Sequence, residues 1–467
     1  MSKHNSFYIT TAIDYVNGPI HIGHAYQKIV SDVIARYNRL SNDKTFFLTG
    51  TDEHGGKAQQ SAEKEGKTPK KYVDEISAED KKQLDVLNIS YDRFFRTTDI
   101  DHKKFVKEFY LKVKEKGDIY KGEYSGLYCT GCEEYKTPNQ IVDGKCPLHP
   151  TRQLEKIKEE NYFFKWSKYT DFLKKHIEDN PDFILPDSQR KNMLGFLKDG
   201  LEDIAISRPA EKISWGIPVP DDKSQTIYVW FDALINYLTY GLEENCWPAD
   251  IHMLGKDNVR WHALLWPAML KSAGYELPKT IYGHGFMTIN GQKISKSLGN
   301  VIQPTDLVKQ FGVDGTRYFF IKYGPWVEDV DFNIEKIQEV YNADLANGLG
   351  NLISRVAKLA ENSKVEFKPS TVQLIDPDID IAFKKLEIIK GIDVIWNKIK
   401  ELDILINHKK VWTLEGDELK KVLEFLVNDI RQVALDLKPF LPETAEKISK
   451  QFNTAKIKSG QPLFPRL

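Results

Sequence analysis

The sequence of 467 residues contains no apolar run of the roughly twenty residues that a membrane-spanning helix requires. Its first residues, Met-Ser-Lys-His-Asn-Ser, lack the hydrophobic core of a signal peptide and the arginine-rich pattern of a transit peptide. These absences predict a cytoplasmic protein with no membrane partner.

An excess of charge of either sign is also absent, because 66 basic side chains stand against 67 acidic ones. Such a balance gives no general attraction for nucleic acid, although basic residues gathered on one face would still bind RNA. Four cysteines in so long a chain argue against a disulfide-stabilised fold. The length itself allows about three domains.

The order of the predicted elements is typical of an α/β fold. A buried strand at 7–11 and a second at 46–49 flank a helix that begins at His21–His24. Further strands are predicted at 226–230, 251–255 and 279–285. This alternation predicts a Rossmann-type parallel sheet, whose ligands bind at the carboxyl ends of the strands.

The chain is predicted to fold as several segments. Residues 1–116 and 226–285 form the two halves of the parallel-sheet domain, and residues 117–225 form an insertion that interrupts it. Residues 286–332 contain a loop and a junction region. Apolar residues repeat at helical intervals in 333–467 without any strand signal, which predicts an all-α helix bundle.

The insertion contains a pattern with the spacing of a zinc site, Cys129-x2-Cys132-x13-Cys146-x2-His149. Three thiolates and one imidazole fill a tetrahedral coordination sphere, so we expect one structural zinc ion per chain. Cys246 lies apart and is not expected to bind it. A chance cluster of reduced cysteines is the alternative interpretation.

The string His21-Ile22-Gly23-His24 places two imidazoles around a glycine at the predicted start of a helix, where phosphates bind readily. Because Gly23 has no Cβ, the backbone can approach a purine and its ribose closely. A single histidine in this position is more often a helix cap or a surface residue, but two around a glycine favour a functional interpretation.

The string Lys293-Ile294-Ser295-Lys296-Ser297 has two lysines three positions apart, with turn residues on either side. Such a segment suits a mobile loop that closes over phosphates. The Walker-type motif Gly-x-x-x-x-Gly-Lys-Ser/Thr is absent, which argues against a P-loop enzyme.

Together and in this order, the two strings resemble the paired ATP-binding signatures of class I aminoacyl-tRNA synthetases. Residues 12–18, 50–55, 228–233, 255–257 and 262–267 narrow the resemblance to the methionyl-tRNA synthetase family, over essentially the whole chain. The resemblance implies ATP-dependent ligation of L-methionine to tRNA(Met) through methionyl-adenylate, with release of AMP and pyrophosphate. It makes the sheet domain catalytic and the helix bundle an anticodon-binding domain. Since the chain stops after the bundle, without an appended tRNA-binding module, we expect a monomer.

The resemblance also implies a role for individual residues. His21, His24, Lys293 and Lys296 would be catalytic. ATP, accompanied by Mg²⁺, would be bound by His21, Gly23, His24, Arg208, Gly255, Asp257, Met287 and Lys296. Methionine would be bound by Ile13, Tyr15, Asp52, Trp230, Ala233, Leu234, Tyr237, Asn258 and His262, with Asp52 receiving its ammonium group. The anticodon would be read by Asn351, Arg355 and Trp412.

Three alternatives stay open. A synthetase for leucine, isoleucine or valine shares the signatures but carries a large editing domain, and the interval between His24 and Lys293 has no room for one. A non-catalytic tRNA-binding paralogue would have no use for the histidines, the lysines and Asp52. A small-molecule adenylating enzyme would have no use for the helical segment with Trp412.

Overall fold

The structure, a computed structural model, describes residues 6–41, 44–132, 134–136, 141–147, 150, 152–294 and 300–467. The chain folds into two compact units. The first unit comprises residues 1–20, 44–82 and 91–285, and the second comprises residues 21–43, 83–90 and 286–467. No helix among the described residues is both long and apolar enough to cross a bilayer.

Strands and helices are numbered along the chain. The strands are β1 (Ser6–Thr11), β2 (Asp14–Tyr15), β3 (Lys44–Asp52), β4 (Arg93–Arg96), β5 (Ile119–Cys129), β6 (Glu134–Lys136), β7 (Glu155–Phe164), β8 (Ile184–Leu185), β9 (Ile204–Ala205), β10 (Ser207–Pro209), β11 (Pro218–Val219), β12 (Asp222–Ile227), β13 (Ile251–Gly255), β14 (Thr280–His284), β15 (Met287–Ile289), β16 (Gln292–Lys293) and β17 (Val330–Phe332). The α-helices are α1 (Ile22–Leu40), α2 (Gly56–Lys64), α3 (Pro69–Val86), α4 (Ile100–Glu115), α5 (Thr170–Asp179), α6 (Asp187–Phe196), α7 (Val229–Leu234), α8 (Asn236–Glu243), α9 (Trp266–Ala273), α10 (Pro304–Tyr323), α11 (Ile334–Val340), α12 (Asn351–Ser363), α13 (Pro377–Lys384), α14 (Ile388–Lys409), α15 (Gly416–Asp436) and α16 (Pro442–Phe452).

The first unit is built on a parallel sheet with the strand order β2–β3–β1–β13–β14–β8, and β4 also pairs with β3. Ile9 of the central strand β1 is paired with Phe47 of β3 on one side and with Ile251 of β13 on the other. These strands are almost wholly buried, as near-continuous apolar runs in a parallel sheet are expected to be. The α/β fold and the strands predicted at 7–11, 46–49, 251–255 and 279–285 are confirmed. Because neighbouring strands run parallel, the carboxyl ends of β1, β3, β13 and β14 share one edge of the sheet.

The prediction of a strand at residues 226–230 is wrong. Thr226 and Ile227 end β12, which pairs antiparallel with β10 and β11 in a separate small sheet, and Val229 begins the helix α7. A short apolar run that is buried on all sides has no periodicity that separates a strand from a helix. The parallel sheet instead gains β8, which pairs with β14 and lies within the predicted insertion.

The predicted insertion also contains an antiparallel sheet with the strand order β6–β5–β7–β9. Its longest pairing joins β5 to β7, from Ile119 opposite Phe164 to Tyr128 opposite Glu155. Cys129 is the last residue of β5, so this sheet fixes the start of the cysteine cluster.

The second unit contains α1, a small sheet with the order β16–β15–β17, and the helices α10 to α16. Among described residues from 333 onward there are helices and no strand, which confirms the predicted helical region. An ion pair at 2.7 Å between the fully buried side chains of Arg317 and Asp32 joins α10 to α1 within this unit. Arg317 Nε also donates to the carbonyl oxygen of Phe440, which satisfies a second part of the buried guanidinium.

Candidate functional site

The candidate site of the first unit lies at the carboxyl edge of its parallel sheet. Asp52 is the last residue of β3, and Tyr15 of β2 is its register partner. Ile13 lies between β1 and β2, and Gly255 ends β13. The backbone of this edge therefore brings together residues predicted to bind methionine and ATP.

Aromatic side chains form one wall of this site. The Trp230 ring stacks on the Trp261 ring with centroids 4.8 Å apart, and it meets the Tyr15 ring edge-on at 6.1 Å. Trp230 lies on α7 together with Ala233 and Leu234, and all three are buried. Aromatic faces with small aliphatic neighbours suit a flexible, polarisable thioether side chain.

A hydrogen-bonded chain through His262 adds polar atoms to this wall. His262 Nδ1 lies 2.9 Å from the carbonyl oxygen of Asn258, and Nε2 lies 2.8 Å from the Tyr237 hydroxyl. Because a carbonyl can only accept, Nδ1 carries the proton, and the Tyr237 hydroxyl donates to Nε2. Burial lowers the pKa of His262 to about 4, so the imidazole is neutral at physiological pH. Asn258 contributes its backbone carbonyl to this chain.

Two carboxylates face the same region. Burial raises the pKa of Tyr237, and the nearby charges of Asp52 and Asp14 raise it further. Asp52 is only 3% exposed and Asp14 only 8%. Two largely buried carboxylates beside an aromatic wall produce a local negative potential that attracts an ammonium group.

The residue after Asp52 belongs to a buried polar network that the sequence reasoning missed. The Glu53 carboxylate accepts from Arg96 Nε at 2.5 Å and Nη2 at 3.0 Å, from Ser77 Oγ at 2.6 Å and from the Thr98 hydroxyl. Its backbone N–H donates to Thr97 Oγ1 at 2.9 Å. The signal in the sequence was a run of three ionisable residues, 52–54, directly after a buried strand.

His54 belongs to a second network that was missed. Its Nδ1 lies 2.6 Å from Asp232 Oδ2, and His102 Nε2 lies 2.7 Å from Asp232 Oδ1. Burial raises the pKa of Asp232, but the charges and hydrogen bonds of the two imidazoles lower it, and the pKa falls to about 2. A depressed carboxyl pKa stabilises the fold above the ordinary carboxyl pKa, and this stabilisation is lost as the pH falls through about 2.

Arg208, predicted to bind ATP, lies on β10 within the predicted insertion and is bonded to Glu159 on β7. Its Nε and Nη2 donate to the two carboxylate oxygens of Glu159 at 2.8 and 3.0 Å, and its guanidinium lies 4.3 Å from the centre of the Tyr128 ring. Lys212 donates to the same carboxylate at 2.8 Å. This bidentate pair fixes the orientation of the guanidinium and places a carboxylate beside its charge. Asp257, another predicted ATP ligand, lies in an exposed turn after β13.

The predicted histidine pair lies in the second unit, at the start of α1. His21 is the N-cap, and its Nδ1 accepts from the backbone N–H of Gly23 at 3.1 Å. His24 Nδ1 accepts from the backbone N–H of His21 at 3.2 Å, and the two rings lie 3.9 Å apart. A Cβ on Gly23 would lie 3.0 Å from His21 Cε1, so a larger residue at this position would require the His21 ring to shift slightly. Two imidazoles at a helix N-terminus suit an anionic ligand.

The rest of the predicted ATP-binding set is only partly within the described residues. Met287 begins β15 and is buried, and the backbone of Lys293 ends β16. Ser295, Lys296 and Ser297 lie outside the described residues.

Three cysteines come together as their spacing predicted. The sulfur atoms of Cys129, Cys132 and Cys146 lie within 4.8 Å of one another, and this cluster could hold a metal ion. Thiolates at this spacing fit a tetrahedral site. His149 lies outside the described residues. Cys246 is buried elsewhere, where burial raises the pKa of its thiol to about 12.

The residues predicted to read the anticodon lie in the helical part of the second unit. Asn351 and Arg355 are one turn apart on α12. The Arg355 guanidinium lies 5.2 Å from the Trp412 ring centre, and it donates to Asp403 at 3.0 Å and to Asn407 at 2.7 Å. Trp412 is 54% exposed. An exposed indole beside a held guanidinium can stack an unpaired base.

Comparison with known proteins finds one family along most of the chain. The family model described as tRNA synthetases class I (M) matches residues 7–357. A Clostridium acetobutylicum protein named methionine–tRNA ligase is 44% identical, with 100% of this chain and 79% of the relative covered. A Thermotoga maritima protein of the same name is 42% identical, with 95% of this chain and 75% of the relative covered.

Solved structures agree with the sequence matches. Mycobacterium tuberculosis methionyl-tRNA synthetase in complex with methionyl-adenylate matches with a TM-score of 0.91 and 35% identity, over 99% of this chain and 100% of that chain. The apo form of the Mycobacterium tuberculosis enzyme matches with a TM-score of 0.84 and 32% identity, over 100% of this chain and 99% of that chain.

Proposed function

This chain belongs to the methionine–tRNA ligase family of class I aminoacyl-tRNA synthetases, and we propose that it ligates L-methionine to tRNA(Met) in two steps. First, a carboxylate oxygen of methionine attacks the α-phosphorus of ATP, pyrophosphate leaves, and methionyl-adenylate forms. Then a hydroxyl of the terminal tRNA ribose attacks the carbonyl carbon of the adenylate and loses its proton, and AMP leaves. The substrates supply both nucleophiles, so the protein contributes positioning and charge stabilisation.

The observation that carries this proposal is the arrangement of Asp52, Tyr15 and Trp230 at the carboxyl edge of the parallel sheet. Asp52 receives the ammonium group of methionine, and the Tyr15 and Trp230 rings enclose the thioether side chain. The Tyr237 O–H donates to His262 Nε2, which fixes both side chains beside the Trp230 ring. The remaining residues of the proposed pocket are Ile13, Ala233, Leu234 and Asn258.

For ATP, we assign charge stabilisation to two histidines and two lysines. In both His21 and His24, Nδ1 accepts a backbone N–H, so the proton of a neutral ring lies on Nε2 and can be donated to a phosphate oxygen. Lys293 and Lys296 supply cationic charge. The other proposed contacts are Gly23, Arg208, Gly255, Asp257 and Met287. Mg²⁺ accompanies ATP and offsets the charge of its phosphates, whose oxygens are the hard ligands that it prefers.

We also propose the following assignment of domains. Residues 1–116 and 226–285 form the catalytic domain, 117–225 its zinc-bearing insertion, 286–332 the lysine-serine loop with its junction, and 333–467 the anticodon-binding domain. The cytoplasmic location and the monomeric state stay predictions from the sequence.

Amino-acid-dependent exchange of pyrophosphate into ATP tests the proposed function directly. The purified chain is incubated with ATP, labelled pyrophosphate and each of the twenty amino acids in turn. We expect exchange with methionine, and weak or no exchange with leucine, isoleucine or valine. Exchange that depends on another amino acid, or no exchange with any, would contradict the proposal.

The cysteine cluster is proposed to hold one structural zinc ion per chain, with His149 as the fourth ligand. Metal analysis of the purified protein should find one zinc, and Cys132→Ser should lose it, because a thiolate ligand to a closed site is removed. Cys246→Ser is the matched control and should retain the metal, since Cys246 lies apart from the cluster. Loss of zinc from the control, or a fully active metal-free protein, would show that this assignment is wrong.

Trp412 is proposed as the stacking platform for an unpaired anticodon base, with Asn351 and Arg355 as hydrogen-bond donors to base edges. Stacking of this kind contributes about 1–3 kcal/mol per base, or about 10- to 100-fold in binding. We therefore expect Trp412→Ala to lower the kcat/KM of tRNA aminoacylation by about 10- to 100-fold. Pyrophosphate exchange, which needs no tRNA, should be nearly unchanged.

Phe425→Ala is the matched control for Trp412, because it removes another aromatic side chain of the second unit that is 50% exposed. This variant should retain both activities. If Trp412→Ala lowers exchange as much as aminoacylation, Trp412 is a folding residue and its assignment to the anticodon fails.

A further inference from the structure

The buried cluster of His54, His102 and Asp232 is not used by the proposed chemistry. The Asp232 side chain is 1% exposed and accepts from both imidazoles, at 2.6 Å from His54 Nδ1 and 2.7 Å from His102 Nε2. A buried carboxylate that accepts two N–H groups holds both rings in one orientation. The cluster lies wholly within the first unit.

The cluster joins the two elements that form the proposed methionine pocket. His54 lies two residues after Asp52, at the end of β3, and Asp232 lies on α7 between Trp230 and Ala233. The hydrogen bond between His54 and Asp232 therefore connects the strand end that carries the ammonium-binding carboxylate to the helix that carries the aromatic wall.

The other side of the same strand end is fixed separately. Glu53 is held by Arg96 and Ser77, and its backbone N–H by Thr97. The segment from Asp52 to His54 is thus fastened to β4 and α3 through Glu53 and to α7 through His54. The second of these connections links the segment that follows Asp52 directly to the helix that carries Trp230.

We propose that Asp232 is a positioning residue for methionine binding. The hydrogen bond between Asp232 and His54 fixes Asp52 relative to Trp230. This inference rests on the proposed function. Buried polar groups in protein interiors are often replaceable by well-packed apolar side chains without loss of stability, so a purely structural role does not require this polar cluster. A fixed separation between an ammonium ligand and a side-chain pocket does require a directional contact.

The first test is Asp232→Asn, which keeps the size of the side chain but offers one acceptor where two N–H groups must be bound. Misplacement of a substrate ligand by about 1 Å costs up to about 100-fold in rate. In pyrophosphate exchange we expect the KM for methionine to rise by about 10- to 100-fold. The KM for ATP should change little, because Asp52 contacts methionine alone.

Asp118→Asn is the matched control. Asp118 is a second buried carboxylate of the first unit, and it accepts from Lys168, Tyr169 and Ser272. The same chemical change there should lower the melting temperature without raising the KM for methionine. An equal rise in that KM for Asp118→Asn would mean that the effect of Asp232→Asn is general destabilisation.

Two variants of His54 keep the proposal testable if Asp232→Asn does not fold. His54→Asn places an amide N–H close to the position of Nδ1 and should retain a KM for methionine near that of the wild type. His54→Leu removes the donor and should raise the KM as Asp232→Asn does. A wild-type KM in both Asp232→Asn and His54→Leu would overturn this inference and leave the proposed function intact, whereas failure of the wild-type chain to exchange with methionine would overturn the proposed function.

Discussion

Asp52→Asn should slow methionine-dependent pyrophosphate exchange more than any other single change at the carboxyl edge of the sheet. The substitution keeps the shape of the side chain but removes the charge that we propose binds the substrate ammonium, at a position where Asp52 is only 3% exposed. Loss of one partner of such a buried charge pair costs about 2–5 kcal/mol, or roughly 30- to 5,000-fold. We expect the loss in kcat/KM for methionine, measured by exchange at saturating ATP.

Asp14→Asn decides whether Asp52 is the ammonium ligand. Asp14 is also buried, and its charge, like that of Asp52, raises the pKa of Tyr237, so both carboxylates lie near the same hydroxyl. We expect a smaller loss for Asp14→Asn than for Asp52→Asn. The opposite order would assign the ammonium group to Asp14.

Lys296→Ala should lower the rate of adenylate formation by about 10²- to 10³-fold, which is the usual effect of removing one group that stabilises transition-state charge. The reason is the negative charge that gathers on the phosphates as the methionine carboxylate attacks. The effect is measured by pyrophosphate exchange at varied concentrations of methionine and of ATP. We expect a decrease mainly in kcat.

Lys309→Ala is the control for this change. Lys309 is an exposed lysine of the second unit and forms an ion pair with Asp306 at 3.2 Å. Such surface ion pairs contribute little to the stability of the fold. The melting temperatures of the two variants should be similar to that of the wild type. Wild-type exchange in Lys296→Ala would show that this lysine does not act on ATP.

Local signals in the sequence were enough for several parts of the molecule. The strands at 7–11 and 46–49 are runs of aromatic, aliphatic and threonine residues, which favour strands. The histidine pair marks the start of α1 because an N-cap needs a side chain that accepts a backbone N–H. Likewise, an indole in a polar stretch predicts an exposed ring, and Trp412 is exposed. The cysteine spacing predicts a cluster, since a two-residue gap brings two thiolates to one ion.

Partners that are distant in sequence needed the tertiary structure. The bonds from Asp232 to His54 and His102 span 178 and 130 positions, and no local pattern indicates either one. Arg208 was assigned to ATP by resemblance, but its bidentate partner Glu159 became visible only in the fold.

The sequence by itself determined the family and the α/β class, because these depend on short motifs and on the pattern of apolar side chains. The residues of the candidate site stay predictions from the resemblance. Only the tertiary structure decided that residues 229–234 form a helix and that β8 joins the parallel sheet. It also decided which carboxylates are paired. The physical reason is that a buried apolar run is compatible with either a strand or a helix, and a buried charge takes whichever partner the packing brings to it.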